Sequence, residues 1–236
     1  MKVLVTGSTG YIGSYVCEEL IHMGHIPIRC DFRFENETKT NLFKAYNEPD
    51  KLIHCAWSGL PNYTSIDHYN NVPGQFNFIQ HLVDYGLKDV TVIGSCLETI
   101  PKQTHYALAK RLLRQKLEEL PINLKWPQLF YVYGGNDKPY KLIPQIRKAI
   151  ESGHKTFSIV DAERDFIHVK NAVQAIVDIA LQTEITGRIE VGNGQVIPVI
   201  DMAKKYFHEI EFVKDYPIPD YEPKSFCANL AKLNEI

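Results

Sequence analysis

A glycine-rich turn lies near the start of the chain, between a short apolar run and a helical pattern. The run KVLVT (2–6) leads into TGSTGYIGS, which contains Gly7, Gly10 and Gly13. A tight strand-to-helix turn needs glycine, a phosphate close to backbone N–H groups leaves no space for a Cβ, and close helix–strand packing needs a third small residue. Because the triplet opens a βαβ unit, it predicts a dinucleotide-binding turn.

An acidic residue follows the turn at the spacing expected for a nicotinamide dinucleotide. Asp31 ends the apolar run HIPIRCD (25–31), where it is placed to accept hydrogen bonds from an adenosine ribose diol and to repel a 2′-phosphate. Arg33, two residues later, would instead attract that phosphate. We therefore predict NAD or NADP as the cofactor, with Asp31 favouring NAD.

Short apolar runs alternate with amphipathic segments up to Gly134. The predicted strands are 2–6, 25–31, 51–57, 89–95 and 123–134, and the predicted helices are 14–24, 74–86 and 106–120. This alternation is typical of parallel βαβ units, so we predict an α/β fold with a doubly wound parallel sheet.

Beyond Gly134 the alternation becomes irregular. Helices are predicted over 142–153 and 171–182 and from Ile200, with short strands within 155–169, a strand over 188–193 and an irregular proline-rich tail. We expect this half of the chain to form a small lobe interwoven with the first half.

Charge and cysteine spacing exclude several classes of protein. A net charge of −2 gives no support to a nucleic-acid surface, and the five cysteines form no CxxC pair that would indicate a disulfide framework or a metal site. No apolar run approaches the roughly 20 residues of a membrane helix, and the strand pattern begins where a signal peptide would lie. We therefore expect a cytoplasmic protein that binds no metal, membrane or nucleic acid.

A Tyr-x-x-x-Lys pair, Tyr106 and Lys110, follows a predicted strand that ends at Ser95. On a helix the two side chains share one face, and Ser95 at the carboxyl end of its strand would lie near a nicotinamide. A free tyrosine has a pKa of about 10, which an adjacent ammonium and an oxidised nicotinamide would lower toward neutrality. The pair is a candidate acid/base couple because of this context, since the spacing alone also arises by chance.

Six segments occur in an order that carries a family resemblance: TGSTGYIG, NNVPG, IGSC, YALAK, LFYVYG and RDFIHV. The order resembles the extended short-chain dehydrogenase/reductase family, which comprises nucleotide-sugar epimerases, dehydratases and ketoreductases, over about residues 1–200. The resemblance implies a Rossmann domain over 1–135, to which 168–192 returns. It also implies a small carboxyl-terminal substrate lobe formed by 136–167 and 193–236.

The same resemblance implies the roles of individual residues. Tyr106 and Lys110 would be the catalytic pair, with Ser95 as their hydroxyl partner. The implied cofactor-binding residues are Gly7, Thr9, Gly10, Tyr11, Ile12, Gly13, Asp31, Arg33, Cys55, Ala56, Asn71, Tyr106 and Lys110.

For the substrate, the resemblance implies contacts from Ser95, Cys96 and Arg164. Arg164 matches an arginine that binds the sugar-nucleotide diphosphate in relatives, as a guanidinium is suited to do. The alternative for Arg164 is a surface ion pair with Asp165, and the alternative for Cys96 is a packing role.

The segment after Ser95 departs from the dehydratase pattern. Sugar-nucleotide dehydratases place an Asp-Glu couple directly after the serine/threonine position, where this chain has Cys96 and Leu97, and Glu98 comes one residue too late. Elimination of water is therefore not expected. Relatives commonly have an arginine before the segment Leu-Phe-x-Val-Tyr-Gly, and this chain has Gln128 there. This difference affects the expected substrate contacts more than the expected cofactor-binding fold.

Two reactions remain open, because a 4-ketoreductase and an epimerase use the same residues. The short loop and small lobe favour NAD(P)H-dependent reduction. The family resemblance implies the substrate, a nucleotide-linked 4-keto-6-deoxyhexose such as a dTDP-sugar, made for surface polysaccharide. An epimerase with tightly bound NAD and a non-catalytic dinucleotide-binding regulator are the alternatives.

A homodimer is also expected, because the family often pairs the helices predicted here over 74–86 and 106–120. The candidate dimer side chains, which could equally face the sheet, are Phe76, Ile79, Val83, Leu112, Leu113 and Leu117.

Overall fold

The fold was analysed in a computed structural model, which describes residues 1–30 and 41–236. The strands are β1 Lys2–Thr6, β2 Ile26–Cys30, β3 Lys51–His54, β4 Asp89–Val92, β5 Gly94–Ser95, β6 Asn123–Leu129, β7 Tyr131–Tyr133, β8 Thr156–Val160, β9 Glu163–Arg164, β10 Phe166–His168, β11 Gly187–Val191, β12 Ile197–Pro198, β13 Glu211–Tyr216 and β14 Ser225–Phe226. The α-helices are α1 Tyr11–His22, α2 Leu42–Ala45, α3 Asn71–Asp84, α4 His105–Glu118, α5 Leu142–Glu151, α6 Val169–Leu181 and α7 Val199–Lys204. Short 3₁₀ helices span Ile66–Asn70, Cys96–Glu98 and Leu233–Glu235.

A parallel sheet forms the centre of the fold. Its strand order is β11-β6-β4-β3-β1-β2, and β5 continues beside β6. The chain runs outward from β1 in both directions, as in doubly wound folds, so the predicted fold class is confirmed. Because all these strands are parallel, the carboxyl ends of β1, β3, β5 and β6 lie at one edge of the sheet.

Helices cover both faces of this sheet. In β1, Val3 and Val5 join the core under α1 and α6, whereas Leu4 joins the core under α3 and α4. Alternate residues of a strand point to opposite faces, so a strand buried on both sides is apolar throughout. This explains why the parallel strands are visible in the sequence as continuous apolar runs.

The structure moves several predicted boundaries. Helix α1 begins at Tyr11, three residues before the predicted start, because the amide of Ser14 already donates to the carbonyl of Gly10 (3.0 Å). The predicted strand 123–134 divides at Phe130, and β7 then pairs with β10 outside the main sheet. The predicted strand 51–57 ends at His54, and the following residues enter a loop over α4.

The lobe packs around a separate apolar core. Helices α5 and α7 and strand β8 contribute Ile146, Ala203 and Ile159 to it, and Phe212 of β13 packs against it. The tail is more regular than predicted, because β14 pairs with β9. Strand β11 belongs to the main sheet, and helix α6 packs against that sheet. The domain boundaries proposed from the sequence stay a prediction. Within residues 1–30 and 41–236, no helix combines the length and apolar character needed to cross a membrane.

Candidate active site

A cleft of about 820 Å³ opens at the carboxyl edge of the main sheet, toward the lobe. The predicted site residues that line it are Gly7, Gly10, Tyr11, Ile12, Gly13, Cys55, Ser95, Cys96, Tyr106 and Lys110. Four others, Thr9, Ala56, Asn71 and Arg164, do not line it. Asp31 and Arg33 lie outside the described residues.

The glycine turn forms one end of the cleft and leaves no space for side chains. Gly7 has a φ of +61°, and a Cβ there would lie 2.9 Å from the amide nitrogen of Ala56. A Cβ on Gly13 would collide with the carbonyl oxygen of Gly7. The amide of Gly10 donates to that same oxygen (2.8 Å), which closes the turn. This geometry fits the pyrophosphate of a dinucleotide approaching the backbone at the start of α1.

A buried polar network supports the turn from behind. His54 pairs through Nδ1 with the Thr6 hydroxyl (2.9 Å) and through Nε2 with Oε1 of Gln75 (3.0 Å). The Thr6 hydroxyl also accepts from the amide of Ala56 (3.3 Å). Burial lowers the pKa of His54 to about 4, so its ring is neutral at physiological pH. In the structure His54 and Ala56 therefore hold the strand ends in place.

Asn71 fixes the loop that follows β3. Its Oδ1 accepts from the Ser58 hydroxyl (2.7 Å) and amide (3.2 Å), and its Nδ2 donates to the carbonyl of His68 (3.3 Å). The sequence predicted a cofactor contact for Asn71, but in the structure its hydrogen bonds are made within this loop and to Gln75.

Aromatic rings from the same loop enclose Tyr106. The ring centroids of Trp57, Tyr63 and His68 lie 5.7, 5.4 and 5.2 Å from that of Tyr106, and the Tyr106 amide donates to the Tyr63 carbonyl (3.0 Å). Burial raises the pKa of the Tyr106 phenol, Tyr63 and Glu98 raise it further, and a hydrogen bond with Ser95 opposes them. The protein's own groups thus keep Tyr106 protonated.

The ammonium of Lys110 is held by contacts within the protein. Its ammonium donates to the carbonyl of Ile93 (2.7 Å) and lies 4.1 Å from the centroid of the Trp57 ring. Burial lowers the pKa of Lys110 to about 8. The predicted lowering of the pKa of Tyr106 by Lys110 and an oxidised nicotinamide stays a prediction.

Ser95 is held by the carboxylate of Glu98. Oε1 of Glu98 accepts from the Ser95 amide (2.8 Å) and from the indole of Trp126 (3.0 Å), while the Ser95 hydroxyl accepts from the Leu97 amide (3.3 Å). Glu98 is buried and does not line the cleft, and burial raises its pKa. Its carboxylate therefore faces the protein interior rather than a substrate.

Arg164 and Asp165 are both buried, so the alternative of a surface ion pair between them is wrong. Arg164 instead pairs with Glu222 (2.6 Å). Asp165 accepts from the backbone amides of Asn193 (2.6 Å), Gly194 (2.9 Å) and Ala228 (3.1 Å). The diphosphate contact predicted for Arg164 stays a prediction.

Among the cleft residues that the sequence did not identify are Trp57, Tyr63 and Glu222, which all belong to irregular segments. Trp57 had a usable signal, because it follows directly after a strand that ends at the ligand-binding edge. Glu222 had none, since it lies in the proline-rich tail. The residues that the structure describes contain no group of three or more His, Cys, Asp or Glu arranged to hold a metal ion.

The sequence also matches a known family along most of its length. The model of the NAD dependent epimerase/dehydratase family matches residues 3–192. The chain belongs to this family. Membership confirms the resemblance drawn from the ordered segments, and the family's description agrees with the predicted nicotinamide dinucleotide cofactor.

Individual relatives within the family are distant in sequence. The dTDP-6-deoxy-L-talose 4-dehydrogenase (NAD(+)) of Aggregatibacter actinomycetemcomitans is 26% identical over 223 residues, which cover 78% of this chain and 79% of that enzyme. The CDP-abequose synthase of Salmonella muenchen is 26% identical over 242 residues, with coverage of 88% and 81%. The solved structure of MoeE5 in complex with UDP-glucose and NAD has a TM-score of 0.81 at 20% identity and covers 100% of this chain and 92% of its own.

Proposed function

We propose that this family member reduces the 4-keto group of a nucleotide-linked 4-keto-6-deoxyhexose, most simply a dTDP-sugar, with NADH or NADPH, for surface polysaccharide synthesis. The observation that carries the proposal is a cleft that holds Ser95 and Tyr106 together without a dehydratase couple beside them. Cys96 and Leu97 follow Ser95 along the cleft, and the Glu98 carboxylate is bonded to Trp126. These groups supply a hydroxyl and a phenol for carbonyl chemistry but no carboxylate pair for eliminating water.

The name of one relative supports chemistry at C4. The Aggregatibacter enzyme is named as a 4-dehydrogenase of a dTDP-linked 6-deoxyhexose. Reduction of a 4-keto group is the reverse of a 4-dehydrogenation, and one set of residues serves both directions because an enzyme cannot change the equilibrium. The reduced cofactor would be NADH, because the family description and the MoeE5 complex both name NAD.

In this proposal the chain's residues prepare the carbonyl for reduction. The glycine turn at the start of α1 would hold the pyrophosphate of the cofactor, whose nicotinamide would supply the hydride when bound. The Ser95 hydroxyl donates a hydrogen bond to the keto oxygen, and Tyr106 gives that oxygen its proton. The raised pKa of Tyr106 keeps the phenol protonated until negative charge develops on the oxygen. Lys110, whose ammonium donates to the Ile93 carbonyl, adds a positive charge to the lining of the same cleft.

The epimerase alternative differs in what happens to the cofactor. Incubation with dTDP-, UDP- and CDP-linked 4-keto-6-deoxyhexoses and their parent hexoses, while the absorbance of the reduced nicotinamide is recorded, separates the two reactions. A reductase consumes one reduced cofactor per keto sugar converted. Interconversion of two sugars with no net consumption would replace the reductase with the epimerase.

A matched pair of variants tests whether the protein is an enzyme or a dinucleotide-binding regulator. Tyr106→Phe removes the proposed proton donor, whereas Tyr63→Phe removes a neighbouring phenol of the same cleft. We expect turnover to fall about 10²- to 10⁴-fold in Tyr106→Phe, with binding of NADH unchanged. Tyr63→Phe should retain most of the activity. Equal activities in the two variants would remove Tyr106 from the mechanism.

We also propose a homodimer through the outer surfaces of α3 and α4. Of the six candidate side chains, Ile79, Val83, Leu113 and Leu117 are buried against the sheet, which leaves Phe76 and Leu112. Leu112 is 37% exposed. Analytical ultracentrifugation of the wild type and of Leu112→Glu should show a dimer that the charged side chain dissociates. A monomeric wild type would contradict the proposal.

A further inference from the structure

The donors of Arg164 are directed into the tail of the chain. Nη1 donates to the carbonyls of Glu163 (2.8 Å), Pro223 (3.0 Å) and Lys224 (3.2 Å), and Nη2 donates to Oε2 of Glu222 (2.6 Å). The Arg164 side chain is 3% exposed and does not line the cleft. These bonds fasten the tail segment to β9 and fix the position of the Glu222 side chain.

Glu222 presents a carboxylate to the cleft at this position. It lines the cleft with a side chain that is 15% exposed, and its ion pair with Arg164 is made through Oε2. A carboxylate can only accept hydrogen bonds. A ligand that meets Glu222 must therefore bring donors, which sugar hydroxyls have and diphosphate oxygens lack.

Apart from Arg164, the groups considered around Glu222 are uncharged and polar. The hydroxyl of Tyr131 is buried and makes no hydrogen bond within the described part of the chain. Burial raises the pKa values of Tyr131, Tyr63 and Cys96, and the Glu222 charge raises each of them further. Cys96 directly follows Ser95, so this polar group lies on the side of the cleft where the reacting carbonyl would lie.

We infer that Glu222, held by Arg164 and flanked by Tyr131, forms the sugar-binding end of the cleft and takes an uncharged, hydroxyl-bearing hexose. The inference rests on the proposed function, because it assumes a nucleotide sugar in this cleft. Glu222 accepts hydrogen bonds from ring hydroxyls, and the Tyr131 hydroxyl gains the partner that it lacks in the protein. Arg164 acts as a positioning residue for Glu222 rather than as the diphosphate anchor.

A competing arrangement makes a different prediction. If Glu222 were a latch that leaves Arg164 when a substrate arrives, Arg164 would be freed for the diphosphate. Neutralising Glu222 would then strengthen the binding of any nucleoside diphosphate, with or without a sugar. If Glu222 instead holds the sugar, only ligands that contain the sugar respond.

Calorimetric titration of the NADH-loaded protein with dTDP, UDP and CDP and with their glucose conjugates separates these outcomes. The variant is Glu222→Gln. The control is Asp220→Asn, which makes the same charge change two residues away on an exposed side chain paired with Lys102. We expect Glu222→Gln to weaken binding of the glucose conjugate about tenfold or more, leave the free diphosphate unchanged and retain NADH binding. Asp220→Asn should change neither affinity.

Three results would overturn the inference. Unchanged binding of the glucose conjugate in Glu222→Gln would show that Glu222 does not bind the sugar. Tighter binding of both ligand types would show that Glu222 leaves Arg164 when a substrate binds. Absence of binding by all six ligands to a wild type that still binds NADH would reject the proposed function itself. Should Glu222→Gln fail to fold, Tyr131→Phe decides in its place, with the same selective loss of conjugate binding expected and an unchanged affinity overturning the inference.

Discussion

The buried carboxylate of Glu98 accepts a hydrogen bond of 2.8 Å from the backbone amide of Ser95. The same carboxylate accepts from the indole of Trp126, so it ties the residue that carries the candidate hydroxyl to the main sheet. A carboxylate so placed cannot serve a substrate, but it determines where Ser95 lies.

Removing this carboxylate should destabilise the fold. Glu98→Ala leaves two buried N–H groups without an acceptor, each at a cost of about 1–3 kcal/mol. We expect urea unfolding to show a loss of about 3 kcal/mol in the free energy of unfolding. Glu118→Ala, which removes a carboxylate that is 45% exposed and paired with Arg114 on α4, should cost about 0.5 kcal/mol. Equal losses in the two variants would contradict the role assigned to Glu98.

Activity should depend on the protonation of Lys110. Because burial lowers its pKa to about 8, the ammonium is lost as the pH rises through that value. We expect kcat/KM for reduction, which reports on the free enzyme, to fall above about pH 8. Lys110→Arg should move this fall to higher pH, since a guanidinium stays protonated. Lys116→Arg, which changes an exposed residue of the same helix, should leave the pH dependence of kcat/KM unchanged. The same pH dependence in the wild type and both variants would show that Lys110 does not cause the fall.

Stability should fall in mild acid because of His54. Its pKa is about 4 in the folded protein and about 6.5 when unfolded, so the unfolded chain binds the proton first as the pH falls. The stability that the neutral His54 ring contributes to the fold is fully present above pH 6.5 and is lost progressively down to about pH 4. At pH 4.5 the loss from this group is roughly 2–3 kcal/mol. Measurement of the free energy of unfolding of the wild type and of His54→Gln between pH 7 and pH 4.5 checks this prediction. The variant should lose less stability over that range, and equal losses in the two proteins would show that another group causes the effect.

The glycine turn should not tolerate a methyl group at Gly13. A Cβ there collides with the carbonyl oxygen of Gly7, so the turn must open or α1 must move. We expect Gly13→Ala to lower the free energy of unfolding by about 1–3 kcal/mol and to weaken NADH binding at least tenfold. Ser14→Ala, one residue along the same helix, is the control. NADH binding at wild-type strength in Gly13→Ala would mean that the turn does not hold the cofactor.

The sequence predicted the parts of this protein that follow a repeating pattern. Strands such as β1, buried on both faces, are continuous apolar runs, and the glycine turn has its own spacing. Parallel strands bring their carboxyl ends together, so Ser95 could be placed near the glycine turn without a structure.

The rest of the site depends on contacts between segments that have no pattern. Trp57 and Tyr63 enclose Tyr106 from a loop, and Glu222 reaches the cleft from a proline-rich tail. The sequence did not indicate that Arg164 would be paired with Glu222, which lies 58 residues away along the chain. Nor did it indicate that Lys110 would bond to Ile93, since backbone carbonyls are available in every segment.

The most direct test of the proposed reduction follows the hydride itself. The protein is incubated with a dTDP-4-keto-6-deoxyhexose and with NADH that carries deuterium at both C4 positions of the nicotinamide. We predict one deuterium at C4 of each product sugar and one NADH oxidised per sugar formed. Conversion of the sugar without deuterium and without loss of NADH would contradict a reductase.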